Sequence, residues 1–225
     1  MKQPRKRHNQ TREQLLEAAC LVFAEKGYHN ATIAEICQSA GANIAAVNYH
    51  FGDKKTLYAK AWRIGFERSI KAHPTDGGVP DDAPPAERLR GRILALIRRF
   101  SDPASHELEM IHKEMANPTG LLGVVMQESI QPLRQKLRSI VKELLGPTAN
   151  EESVMLCLMS IRAQCFNPAV RDRHRDVFAK VGLKHHTKEK KIPIERIADH
   201  VTRFTLAGIR EVRRQIESVS NSQTE

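Results

Sequence analysis

A chain of 225 residues with 36 Lys and Arg against 26 Asp and Glu has a net charge of +10 and a pI near 9.7, which favours a polyanionic partner without proving one. The length can bury a sizeable core, as one large domain or as a small one joined to a larger one. No apolar run reaches a membrane span, no signal peptide precedes the first helix, and Cys20, Cys37, Cys157 and Cys165 form no CxxC pair. Buried thiols in a reducing compartment, hence the cytoplasm, are the expectation, with no membrane partner.

Met1 to Arg12 holds Lys2, Arg5, Lys6, Arg7 and Arg12 and no acid. Such an arm is expected to be disordered alone. Arg7 and Arg12 could follow phosphates or reach into a minor groove; the other reading is a solubilising tail. Thr11 to Lys26 reads as the first helix, with Leu15, Ala19, Val22 and Phe23 on one buried stripe and Gly27 at its C-cap.

The stretch from Thr32 to Leu57 organises the chain. Thr32 can cap a helix whose Glu35 returns a bond to the cap, and Ile33, Ile36 and Cys37 give it an apolar face. Ala40-Gly41-Ala42 supplies a sharp turn, and Asn43 can cap a second helix from Ile44. Two short helices joined by such a turn make a helix-turn-helix, whose second helix enters the major groove of double-stranded DNA. Ile44 and Val47 are expected to lock that helix against the preceding one. Ala45, Ala46 and Asn48 leave a low surface that can approach base edges, and Ala can meet a thymine methyl. Tyr49 and His50 suit phosphates. Asp53 can cap the next helix, whose first turn then carries Lys54 and Lys55 against the helix dipole, an arrangement that a nearby phosphate would relieve and that otherwise is a solvated helix end.

The run Thr32-Ile33-Ala34-Glu35-Ile36, then Ala40-Gly41, Tyr49-His50-Phe51 and Lys54-Lys55-Thr56-Leu57-Tyr58, resembles the N-terminal domain of TetR-type transcriptional regulators. The resemblance covers about the first quarter of the chain without a gap. It implies an all-α homodimer with an N-terminal DNA-binding domain and a C-terminal ligand-binding and dimerisation domain. Asn48 stands where many members have a second tyrosine or another larger residue, so no operator carries over.

From Lys54 to about His73 a long helix carries Leu57, Trp62, Ile64, Phe66 and Ile70, and is expected to be the only link between the DNA-binding part and the rest. His73 to Pro85, with four prolines and two glycines, cannot continue it. Helices are expected over Ala86–Phe100, His106–Asn117, Leu121–Leu145 with a kink or break at Pro132, Glu151–Asn167 and Pro193–Ser218. Pro168 and Gly182 should interrupt helix in the basic stretch Arg171–Lys191, which reads as a solvated connection or as a rim for acidic ligands or DNA. There is no period-2 alternation and no internal repeat.

Ile111-His112-Lys113-Glu114-Met115-Ala116-Asn117-Pro118-Thr119, with Ala198-Asp199-His200 and Phe204, resembles the C-terminal domain of the CerR-like branch of these regulators, which implies an effector-responsive repressor. The middle helices are expected to turn Phe100, Met110, Met115, Met126, Met159 and Phe166 inward, with His112 and Gln164 as polar groups and Trp62 joining them from the long helix. Such a cavity suits a small amphipathic or aromatic effector; methionines at helical spacing also simply fill cores.

His185 and His186 are adjacent and cannot share one helix face, and Glu109 with His112 lacks a third ligand nearby, so no metal and no other cofactor is expected. No nucleophile–base motif, P-loop or GxGxxG is present. In the last helix Ile197, Val201, Phe204, Gly208 and Val212 form a stripe, with small Ala207 and Gly208 and with Arg210, Arg213 and Arg214 mostly opposite. It could pack on its own domain; the family resemblance favours pairing with its twin and with Glu151–Asn167 in a four-helix bundle.

The sequence thus reads as an all-α DNA-binding transcriptional regulator, a homodimeric repressor released from a palindromic operator by a small-molecule effector. Residues 1–58 form the DNA-binding domain and 59–225 the effector and dimerisation domain. The rival readings are a non-specific nucleoid-type DNA binder and an all-helical enzyme without a recognisable motif.

Overall fold

The computed structural model describes residues 4–180 and 192–222, with side chains over 9–168 and 192–218. In chain order the helices are α1 (Pro4–Asn30), α2 (Ile33–Ala40), α3 (Ile44–Phe51), α4 (Lys54–Ala72), α5 (Pro85–Ser101), α6 (His106–Ala116), α7 (Gly123–Leu145), α8 (Glu151–Lys180) and α9 (Ile194–Ser222). Among the described residues there is no strand, and no helix is long and apolar enough to cross a membrane. Two compact units form: residues up to 72 with 103–131, and 73–102 with the residues from 132 on.

In the first unit, α1 begins at Pro4 rather than Thr11, so from residue 4 the arm is helical and not disordered. Pro4 suits a first turn, and lengthening an existing helix needs no new nucleus. Leu15, Leu16, Ala19 and Phe23 of α1 are buried, against Leu57, Tyr58, Ala61 and Trp62 of α4 and Leu108 and Met110 of α6. Gly27 interrupts α1 at φ 72°, where a Cβ would also stand 3.3 Å from the Lys113 Cβ of α6. The Trp62 indole N–H donates to the Glu107 carbonyl at 3.2 Å. The Tyr58 hydroxyl donates to Glu114 Oε2 at 3.1 Å. Glu114 also accepts the backbone N–H groups of Thr119 and Gly120 at 2.9 and 2.8 Å, which closes the turn after α6.

Helix α6 therefore packs directly on α1 and α4, so α4 is not the only link to the N-terminal helices as expected from the sequence. The packing units accordingly do not divide at residue 58/59. The reason is burial: Leu108 and Met110 find their apolar partners on helices far away in sequence.

Helix α2 opens on a capping box, with the Glu35 N–H donating to Thr32 Oγ1 at 3.2 Å and the Thr32 N–H to Glu35 Oε2 at 3.0 Å. Lys26 Nζ reaches the same carboxylate at 2.7 Å, joining α1 to α2. That hydrogen bond, with those from Thr32, lowers the Glu35 carboxyl from the ordinary value to about 2.

In the second unit, Leu89, Ile93 and Ile97 of α5 lie at the centre of a cluster with Ile140, Val141 and Leu145 of α7, Val154, Ile161 and Cys165 of α8, and Ala198, Val201 and Ile209 of α9. The loop before α5 lies on the helix where Gly91 leaves no room for a Cβ beside the Asp76 carbonyl, and His73 Nε2 meets Asp102 Oδ2 at 2.6 Å. Arg88–Glu143, Arg90–Asp199 and Arg98–Glu195 tie α5 to α7 and α9. Such partly exposed pairs are each worth about 0–1 kcal/mol, so burial holds this unit. Pro132 and Pro168 both sit inside continuous helices, so neither breaks its helix and α8 runs on to Lys180. A proline removes one intrahelical bond but need not end a helix. Gly182 and the histidine pair at 185–186 lie outside the described residues.

Two expectations follow for this fold. Trp62→Ala should destabilise the chain by about 3–5 kcal/mol in urea unfolding, whereas Met115→Ala, at a position 75% exposed, should stay within about 0.5 kcal/mol. The Glu35 carboxyl should titrate near pH 2 by NMR. Because its folded value is depressed, the stability it contributes is present above the ordinary value of 4.5 and is lost as the pH falls through about 2. Lys26→Ala should move the midpoint up towards 4.5.

Candidate nucleic-acid interface

The turn after α2 is set by Gly41 at φ 61°, with the Ala42 N–H closing on the Cys37 carbonyl at 2.9 Å. Asn43 Oδ1 accepts the Ala46 N–H at 2.9 Å and starts α3. Val47 and Phe51 are buried, while Ile44, Ala45, Asn48 and Tyr49 face outward and Ala46 and His50 are half-buried. Ile44 does not lock α3 as expected from the sequence: it is 54% exposed, and Val47 with Phe51 makes the inner face. The i, i+4 spacing of those two residues takes the packed side, and Ile44 falls beyond its edge.

Asp53 Oδ1 accepts the Thr56 N–H at 2.7 Å and caps α4, which places Lys54 at its first residue. Lys54 Nζ stands 4.5 Å from the centroid of the Tyr28 ring, and desolvation lowers its pKa. Tyr28 lies 5.2 Å from Tyr58 between ring centroids, and Tyr58 is edge-on to Phe23 at 4.8 Å. The Arg12 guanidinium and Lys60 Nζ lie 5.9 and 5.6 Å from the Phe51 ring. Arg12 of α1 and Lys60 of α4 thus lie near the last residue of α3, cations of the kind that meet phosphates beside a groove. Thr32 is exposed at the start of α2, its oxygen engaged in the cap. The side chain of Arg7 lies outside the described ones. The Tyr58–Glu114 bond was not foreseen from the sequence; its signal is an acid five residues before Thr119-Gly120, legible only once α6 is placed on α4.

The residues expected to line an effector cavity do not gather in either unit. Trp62 and Met110 fill the core of the first unit. Met115 and Met159 are exposed, which corrects the inward orientation expected for both. His112 stands 3.9 Å from Glu109 on α6, and the described residues hold no metal-ligating group of three or more. Met126 is half-buried in the first unit. In the second, Phe100 and Phe166 meet edge to face at 5.5 Å. Gln164 opens on a groove of about 990 Å³ where Arg90, Arg196 and Asp199 stand beside the apolar Ile192, Ile197 and Val201. Burial pushes the Cys20 and Cys165 thiols up to about 11 and about 12, Cys37 is buried too, and Cys157 is half-buried.

The expected stripe on α9 divides. Val201 is buried and Ile197 and Val212 pack on the core of their own unit, whereas Phe204 (63% exposed) and Gly208 face away. The packed face centres on Ala198, Thr202, Thr205 and Ile209. Thr202 donates to the Ala198 carbonyl at 2.7 Å, which lets a polar residue sit inward. Met155, Leu156 and Met159 form a comparable exposed apolar face on α8.

Residues 15–61 match the model of the bacterial regulatory proteins of the tetR family, and residues 85–209 that of the C-terminal domain of HTH-type transcriptional dual regulator CecR. The C-terminal branch read from the sequence as CerR-like is thus the CecR one. HTH-type transcriptional dual regulator CecR from Shigella flexneri is 30% identical over 157 residues, 65% of this chain and 70% of that one. The probable acrEF/envCD operon repressor of Escherichia coli K12 is 27% identical over 137 residues, 59% of this chain and 61% of that one. The crystal structure of the transcriptional regulator FadR from Bacillus subtilis in complex with stearoyl-CoA has the same fold, with a TM-score of 0.59, 17% identity, and 87% and 98% of the two chains covered. The enzyme alternative falls with these matches, because the family is one of transcriptional regulators. The chain belongs to the TetR family of DNA-binding transcriptional regulators and carries a CecR-like C-terminal domain.

Proposed function

We propose that the chain acts in the cytoplasm as a homodimeric repressor, two copies of α3 reading the halves of a palindromic operator that a small-molecule effector releases. The observation that carries this reading is the outward face of α3, low and partly apolar, with Arg12 near its last residue and Lys54 opening the next helix. The proposed functional division is DNA binding by residues 1–58 and effector binding and dimerisation by 59–225. Repression is favoured by the likeness to the E. coli operon repressor. A helix-turn-helix reads few base pairs per copy, so pairing two supplies both affinity and half-site spacing. The exposed apolar faces of α8 and α9 support a dimer through those helices, with Phe204, Ala207 and Gly208 rather than Val201 at its centre. The B. subtilis neighbour holds stearoyl-CoA, so this fold can house an effector. For this chain an amphipathic or aromatic molecule is proposed, which releases DNA only by binding one spacing of the two heads better than the other.

Lys54→Ala should weaken binding to every DNA sequence and reduce the slope of log affinity against log salt by about one; an unchanged slope removes Lys54 from the interface. Phe204→Asp alters a solvent-exposed side chain of the single chain and should leave the fold intact. If the face pairs, each dimer buries two new charges, so light scattering should find monomers, and these should lose operator affinity. An intact Phe204→Asp dimer places the interface elsewhere.

A further inference from the structure

Ile44, the first residue of α3, is a large aliphatic side chain at the edge of the helix's exposed arc next to Phe51, and it is 54% exposed. On a helix, positions 44, 48, 45 and 49 follow one another around that arc at intervals of about 40–60°, with Ile44 and Asn48 one turn apart on the same face. An isoleucine left more than half exposed gains little from the chain's own core. Next to it around the helix come Asn48 and the low Ala45, both exposed, and Arg12 of α1 lies near the last residue of the same helix. Asn43, by contrast, has its carboxamide oxygen occupied by the Ala46 N–H.

The N-terminal residues of a recognition helix are those that meet base edges. In the major groove the only methyl on a base edge is the C5-methyl of thymine, and the pair of groups that a carboxamide matches is the N6 donor and N7 acceptor of adenine. Resting on the DNA-binding function proposed above, we infer that α3 reads A·T pairs, Ile44 and Ala45 covering one thymine methyl and Asn48 pairing with one adenine. One turn of helix advances about 5.4 Å and one base pair about 3.4 Å, so the two bases lie within about two base pairs of each other. This turns a general reading head into one with a stated chemical preference, and it assigns Ile44 to specificity rather than to packing.

The test uses the full chain and the duplex it selects from random DNA. Each thymine of one half-site is replaced in turn by deoxyuridine, which lacks only the methyl, and each adenine by 7-deaza-deoxyadenosine, which lacks only the N7 acceptor. One deoxyuridine should weaken binding by about fourfold, and one 7-deaza substitution within two base pairs of it by about tenfold. Ile44→Ala should reduce the first difference and keep the second; Asn48→Ala should erase the second and keep the first. Wild-type protein indifferent to every deoxyuridine, or Ile44→Ala retaining the full methyl effect, overturns the inference while leaving the operator reading intact. A protein that selects no preferred duplex overturns both.

Discussion

Val47 and Phe51 fix the rotation of α3 about its axis, and what the chain can offer to DNA depends on that rotation. With both side chains inward, Ile44, Ala45, Asn48 and Tyr49 share the outer arc. Turning the helix by one residue would expose two buried apolar groups, at about 1.5–3 kcal/mol each. The caps add direction to this burial. Gly41 permits the tight left-handed turn that ends α2, and two short polar contacts, at Asn43 and Asp53, define where α3 and α4 begin.

The same unit links the cationic flank of the head to the turn after α6 by a chain of contacts. Lys54 stands over Tyr28, Tyr28 against Tyr58, and Tyr58 donates to the Glu114 carboxylate that gathers the Thr119 and Gly120 amides. The Trp62–Glu107 hydrogen bond and the close approach of Gly27 to Lys113 hold α6 on α4 and α1 at two further points. Interiors packed to this density answer a displacement by repacking rather than by bending. Helix α6 therefore belongs mechanically with the DNA-reading helices, whichever end of the chain it resembles in sequence.

In the second unit, a cluster contributed by α5, α7, α8 and α9 does the holding, and the ion pairs around it add little. Helix α9 shows how that cluster divides a helix. Ala198, Thr202, Thr205 and Ile209 take the packed side, which leaves Phe204 and Gly208 outward. Large apolar groups in water on two neighbouring helices are the kind of surface that association covers.

Local signals determined much of this protein. The Thr32–Glu35 box, the turn at Gly41, the Asn43 cap and the 3.6-residue spacing of Leu15, Ala19 and Phe23 each act over a few residues, and each is found in the structure as the sequence implies. The all-α class and the DNA-binding family were legible for the same reason. What tertiary structure alone decided is which apolar groups face which partner. Ile44 and Met115 are as apolar in sequence as Val47 and Met110, yet two lie outside and two inside. Helix α6 packs on α1 and α4 through contacts such as that between Trp62 and Glu107, 45 residues apart. Helical periodicity marks an apolar face, but what covers that face is settled by residues far along the chain, and only the packed structure brings those together.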